Sequence, residues 1–219
     1  MCGRFTLITP MNELVQRFRV EAPSKEWKAR YNAAPTQELL IIPQDYPEKI
    51  VAARWGLVPH WAKDTSIGYK MINAKAETLA EKPSYKPLLG QKRCLVLADG
   101  FYEWKHVGKT KTPFRITKPD GKAFAFAGLY DDWKHDGETL RSFTIITTEP
   151  NPIMKPIHDR MPAILPAEKE QEWLTGESAS ALKLLKPFAG KLALQQVSEK
   201  VNIPANDDPS VLKGPQLLR

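Results

Sequence analysis

Cys2 stands directly behind the initiator methionine, and cysteine is small enough there for Met1 to be clipped. The product would carry an α-amine and a thiol on adjacent carbons. Such a 1,2-aminothiol has a distinct chemistry: the amine condenses with an aldehyde to an imine, and the thiol closes onto the imine carbon as a five-membered thiazolidine. The bland alternative is a buried cysteine that only packs. Three further segments hold residue types suited to assist. Asn73 lies between the apolar pair Met71-Ile72 and the run from Lys75 to Glu77, where its amide could orient an amine or a substrate, or simply shape a turn. Glu103 sits within Phe101-Tyr102-Glu103-Trp104, after an expected buried strand. Apolar surroundings raise a carboxyl pKa toward the range of general acid and base work, although a salt-bridged glutamate at a strand end fits the same residues. His158 precedes Asp159 and Arg160 in a proline-bounded loop over 152–162, which suits either catalysis or plain solvent exposure.

The elements that must position these residues are read from periodicity. Residues 11–19 place Leu14, Val15 and Phe18 at helical spacing after Thr9-Pro10, which predicts an N-capped amphipathic helix. Pro166 and the acidic run after it open a second helix through Trp173 and Leu174, and a third covers 178–185, ending before Pro187. Strand signals fall at 39–42, 50–55, 94–98, 113–117, 123–129 and 142–148, and the Pro119-Asp120-Gly121 turn is expected to join two of them as a hairpin. Strands outnumber helices without alternating with them, so the fold class expected is α+β with mainly antiparallel pairing. Asn73 itself is expected in a turn.

The chain has 219 residues and 42% hydrophobic content, enough for one compact domain over 1–219. Prolines number 19 but are scattered, and no repeat or low-complexity block marks a boundary. Lys and Arg total 32 against 25 Asp and Glu, a formal charge of +7 that would assist binding to a polyanion. No apolar run approaches the ~18 residues of a membrane span, and the N-terminus lacks a signal-peptide pattern, so a cytoplasmic protein without membrane contact is expected. Two cysteines, Cys2 and Cys94, are too few for a disulfide framework. The four histidines offer no paired metal-ligand spacing, with His106 and His135 isolated in turn-like polar sequence; no metal and no cofactor are expected. Gly108-Lys109-Thr110 lacks the upstream glycine of a phosphate-binding loop and reads as a hairpin tip, while G-x-S-x-G and G-x-G-x-x-G are absent.

Six segments in order carry a resemblance that spans nearly the whole chain: Met1-Cys2-Gly3-Arg4-Phe5, Tyr31-Asn32-Ala33-Ala34-Pro35, Trp55-Gly56-Leu57-Val58-Pro59 with Trp61, Asn73-Ala74-Lys75-Ala76-Glu77-Thr78, Gly100-Phe101-Tyr102-Glu103-Trp104 and His158-Asp159-Arg160-Met161-Pro162. Together they resemble the SOS response-associated peptidase (SRAP) family. The resemblance implies a compact fold with a barrel-like β core flanked by a few helices, and a cleft for single-stranded DNA at an abasic site, which the family shields by covalent attachment. It implies Cys2 as the crosslinking residue, Asn73 as the group orienting amine and sugar, Glu103 as the acid and base, and His158 as the group assisting sugar ring opening. Arg4, Trp55, Trp61, Lys75 and Lys86 are assigned to DNA, cations to phosphates and aromatics to bases. Lys75 replaces an arginine common in relatives, which keeps the charge but loses the planar fork. The partner expected is single-stranded DNA bearing abasic sites, bound by a bacterial, monomeric protein.

Two rival readings share these residues. A thiol autopeptidase would use Cys2, Glu103 and His158, as the family's name suggests. A non-covalent single-strand binder would rest on the charge and the six tryptophans alone, and would be indifferent to the lesion.

Overall fold

Period-two alternation in the central strands sends successive apolar residues into two different cores. The computed structural model describes residues 2–214, in which the chain forms, in order, β1 (Phe5–Leu7), α1 (Met11–Phe18), β2 (Arg30–Ala33), β3 (Glu38–Pro43), β4 (Val51–Trp55), β5 (Asn73–Lys75), α2 (Leu88–Gln91), β6 (Arg93–Ala98), β7 (Gly100–Val107), β8 (Thr110–Thr117), β9 (Phe124–His135), β10 (Glu138–Thr148), β11 (Met161–Pro162), α3 (Glu170–Thr175), α4 (Ser178–Leu182) and β12 (Ala193–Gln196). In β6, Cys94, Val96 and Ala98 face one core while Leu95 and Leu97 face the other; in β9, Phe124, Phe126 and Tyr130 part in the same way from Ala125, Ala127 and Leu129. The second core is closed over by Leu14 of α1, Trp173 and Leu174 of α3 and Ala181 of α4. Strands buried on both faces read as continuous apolar runs, which is why their existence was plain in the sequence.

The strands make two sheets. In the larger, β10–β4–β3–β6–β9 pair in succession and β9 pairs back onto β10, so five strands close into a barrel, with β5 and β11 added alongside β10. All barrel pairings are antiparallel except β10 with β4. The smaller sheet runs β12–β8–β7–β1–β2 and is antiparallel throughout. The α+β, barrel-like expectation therefore holds.

Several local expectations do not. Pro119-Asp120-Gly121 is a turn, with Gly121 at φ +66° and the Lys122 N–H donating to Asp120 Oδ1 at 3.1 Å. It joins no hairpin, because β8 belongs to the five-stranded sheet and β9 to the barrel. Turn residues fix a reversal of direction; they do not fix which strands pair. Helix α1 lies where expected, but Thr9 does not cap it. The Thr9 hydroxyl donates to Asp99 Oδ2 at 2.9 Å, and Pro10 begins the helix without a side-chain cap. The third helix stops at Leu182 rather than 185. Gly108-Lys109 is the two-residue tip between β7 and β8, as read, with glycine at φ +59° where a tight hairpin needs it.

One buried cation fastens the outer layer. Arg93 is 1% exposed, and its guanidinium donates to backbone carbonyls rather than to an acid: Trp173 O at 2.5 Å, and also Leu89 O and Gly176 O. These carbonyls end α2 and α3, where intrahelical donors run out. Arg93→Met should therefore strand them and destabilise the fold by about 3 kcal/mol in denaturant titration; a loss under about 0.5 kcal/mol would show that water replaces the guanidinium freely.

Candidate active site

Strand β1 carries Cys2 toward β7. Phe5 pairs with Phe101 and Thr6 with Gly100, and the Tyr102 N–H donates to Arg4 O at 2.9 Å. Asp99, 2% exposed, locks this pairing: it accepts from Thr6 Oγ1 at 2.6 Å, from the N–H groups of Ile8 and Thr9 at 2.6 and 2.8 Å, and from Arg115 Nη2 at 3.1 Å. A Cβ at Gly100 would lie 2.7 Å from Arg115 Nε and 2.9 Å from Thr6 Oγ1, so a larger residue there would displace side chains that bond Asp99.

Asn73 reaches the same place by another route. Gly56, at φ +115°, approaches Gly68 so closely that a Cβ would lie 2.6 Å from its carbonyl oxygen. The loop between them folds back, Leu57 N–H bonds Met71 O at 3.1 Å, and β5 settles parallel to β10 with Asn73 opposite Ile145. Asn73 is thus a strand residue and not the turn expected from its neighbours; the partner strand is 72 positions away, out of reach of local patterning. Its Nδ2 donates to Cys2 O at 2.8 Å. Its Oδ1 is buried and accepts no hydrogen bond from any of the described residues.

His158 follows a run of turns over 152–157 and is tied to Asn73 through Arg160. The Arg160 guanidinium makes a bidentate pair with Glu77 at 2.8 and 2.8 Å and donates to Thr147 O at 2.7 Å. This pair, which holds the Glu77 carboxyl below its usual range, clamps the loop bearing His158 to the segment bearing Asn73. His158 Nδ1 accepts from the Arg160 N–H at 3.0 Å, which leaves Nε2 to carry the proton of the neutral ring. Asp159 Oδ1 lies 2.8 Å from the same Nδ1 and would favour the charged ring, but Asp159 is well exposed. Burial is the larger influence and lowers the His158 pKa.

Glu103 and His158 line one open cavity of about 530 Å³ with Gly3, Arg4, Trp104, His106, Lys111 and Asn202. Burial lifts the Glu103 carboxyl to about 7. Cys2 is fully buried behind this cavity in the core shared with Phe5, Trp55 and Phe101. Burial, and then the nearby Glu103, hold its thiol protonated well above the ordinary cysteine range. The four residues singled out for chemistry thus come from four distant segments to one region, with Asn73 bonded to Cys2 and with Glu103 and His158 on one cavity, and the arrangement suits proton transfer at near-neutral pH. Among the described residues no group of three or more His, Cys, Asp or Glu is placed to hold a metal.

The five residues assigned to DNA do not fare alike. Arg4 lines the cavity, half-buried, with Nη1 donating to Asn32 Oδ1 and Val201 O at 2.8 Å each. Trp61, Lys75 and Lys86 are exposed. Trp55 is a correction: it is 0% exposed, packed against Phe5 at 5.1 Å and stacked on Phe143, so its ring cannot meet a base. Its indole N–H donates instead to Ile72 O at 2.9 Å, directly before Asn73. His106, read as lying in a polar turn, is in β7 and faces the cavity.

The sequence matches the family model described as SOS response associated peptidase (SRAP) over residues 1–204. The chain belongs to the SRAP family. Among SRAP relatives, it is 46% identical to the abasic site processing protein YoqW of Bacillus subtilis (strain 168), over 98% of this chain and all of that one. It is 34% identical to the abasic site processing protein HMCES of Xenopus tropicalis, over 90% of this chain and 72% of that one. A crystal structure of a protein from Bacteroides thetaiotaomicron superposes with a TM-score of 0.89 at 29% identity, covering 98% of this chain and 100% of that one. Residues that local reading passed over in this SRAP chain are Asp99, Arg160 and Glu77. All three lie inside or beside the six segments, which was the one available signal.

The Glu103 environment has a measurable consequence. The native state keeps this proton up to about pH 7, whereas an unfolded glutamate releases it near 4.5, so the stabilisation of the protonated form is complete below 4.5 and is lost as pH rises through 7. Relative to Glu103→Gln, the parent protein should lose stability progressively across that window in thermal melts. A difference independent of pH would contradict the assignment.

Proposed function

We propose that this protein captures abasic sites in single-stranded DNA as a thiazolidine on Cys2, after removal of Met1. The observation that carries the reading is the convergence on Cys2 itself: Asn73 Nδ2 holds its carbonyl at 2.8 Å, and Glu103 is close enough to raise its thiol pKa. The names of the relatives YoqW and HMCES agree with it.

The steps follow from what each group can donate or accept. An abasic deoxyribose rests mostly as a closed hemiacetal, whose opening moves the anomeric hydroxyl proton to the ring oxygen; His158 in its imidazolium form can protonate the ring oxygen from Nε2 and recover a proton there from the anomeric hydroxyl, so no net proton is lost. The Cys2 α-amine, with an ordinary pKa of about 7.7 to 8, then adds to the aldehyde. Glu103, poised near 7, takes a proton from the amine and returns one to the departing hydroxyl, and water leaves as the imine forms. The thiol sulfur next bonds the imine carbon while its proton passes to the imine nitrogen, so the closed ring is neutral and needs no oxidant. Asn73 Oδ1, buried and without a donor among the described residues, accepts from the amine or a sugar hydroxyl and fixes its direction. Arg4, Trp61, Lys75 and Lys86 meet the strand, the lysines as point charges on phosphates.

An autopeptidase would need Cys2 as thiolate. Burial and Glu103 both oppose that form, which favours the crosslinking reading over the peptidase one.

Incubation with a strand containing an abasic site should give a slow, SDS-resistant band that a lesion-free strand does not give. Cys2→Ala, which keeps an α-amine, should form only a reversible imine and lose the durable band. Equal durability in Cys2→Ala would sink the thiazolidine.

A further inference from the structure

The crosslinking steps use only part of the cavity beside Glu103. Its remaining wall is Trp104, His106, Lys111 and Asn202, all outside the proposed chemistry. Strands β7 and β8 build this wall: Lys111 stands opposite His106 in their register. Lys111 Nζ lies 5.0 Å from the centroid of the Trp104 ring, and Trp104 Nε1 donates to Asn202 Oδ1 at 2.8 Å. An indole pinned at its edge and carrying an ammonium on its face restrains an otherwise free lysine head. Among the described residues Glu103 is the one carboxylate lining the cavity, against the cations Arg4 and Lys111, so the site carries net positive character where a strand must enter.

We propose that Lys111, seated on Trp104 beside His106, binds a phosphodiester directly flanking the abasic sugar and so sets the register of the strand against Glu103. The inference rests on the reading above for the nature of its ligand, a DNA strand with a missing base. A deoxyribose within the chain carries a phosphodiester on each side, so a sugar held at Glu103 brings phosphate oxygens into the same cavity. Lysine suits that contact, since it approaches phosphate as a point charge and needs no fixed fork. Trp104 and Lys111 are positioning residues here, because neither reaches the reacting carbon in the proposed steps.

The test uses equilibrium binding of strands carrying a tetrahydrofuran abasic analogue, which cannot form an imine, so it is independent of the covalent step. Lys111→Ala should weaken binding about tenfold and lower the slope of log K against log salt by about 0.7, and Lys111→Arg should restore most of both. Replacing one flanking linkage by a neutral methylphosphonate should weaken the parent equally and abolish the effect of Lys111→Ala; the same replacement on the other side should leave that effect intact. An equal effect of Lys111→Ala on all three strands, or no effect on any, overturns the proposal. Loss of the covalent band with an aldehyde-bearing strand would instead overturn the crosslinking reading, and would leave these binding results interpretable.

Discussion

Everything at the candidate site depends on the antiparallel pairing of β1 with β7, and that pairing depends on the buried carboxylate of Asp99. A short strand of three residues has little cohesion of its own. Asp99 supplies what the ladder cannot: it gathers the hydroxyl of Thr6, two backbone N–H groups beyond the strand and the Arg115 guanidinium onto one group. Charge-assisted bonds of this kind are roughly twice as strong as neutral ones. The end of the chain, ordinarily a place of fraying, is thereby held so that Cys2 lies against Asn73 and near Glu103.

The second organising constraint is burial. Placing Cys2 in an apolar core keeps its thiol neutral and shielded, and the same apolar wall raises Glu103 into the range where it can both give and take a proton. A neutral thiol is a poor nucleophile toward a peptide or an unactivated carbonyl, yet an imine already formed on the adjacent amine needs no free thiolate at high concentration, because the two groups sit on neighbouring carbons. Under the proposed function this environment favours a reaction that begins at the amine. The Arg160–Glu77 clamp and the Gly56–Gly68 approach serve the same end, bringing His158 and Asn73 to the site from segments far apart in the chain.

Much of this was legible in the residues, and the misses share a cause. Strands such as β6 and β9 declared themselves because both faces are buried, whereas Cys2, Asn73, Glu103 and His158 each had a bland local reading beside the chemical one, and the resemblance of the six segments named them as a set. What failed were statements about partners at long range. Asn73 reads as a turn because nothing near it reveals that β10 lies alongside. Trp55 reads as a base-stacking ring because an exposed and a buried tryptophan have the same one-letter neighbourhood, whereas Phe5 and Phe143 arrive from elsewhere to bury it. Pro119-Asp120-Gly121 looks like a hairpin because the local chemistry of a reversal is identical whether the chain returns to the same sheet or crosses to another. His106 was obscured by the polar residues around it, which are the exposed end of the hairpin whose other face lines the cavity.

The central claim is that the N-terminal amine and thiol of Cys2 together receive the abasic sugar. Mass spectrometry of the trypsin-digested adduct, formed on an abasic strand and then stripped of DNA by nuclease, addresses it directly. The account predicts that the modification lies on a peptide beginning at Cys2 and ending at Arg4, lacking Met1, with the mass of the sugar fragment less one water and a thiol that no longer alkylates. A modified peptide that retains Met1, or one in which the Cys2 thiol still alkylates freely, would contradict it.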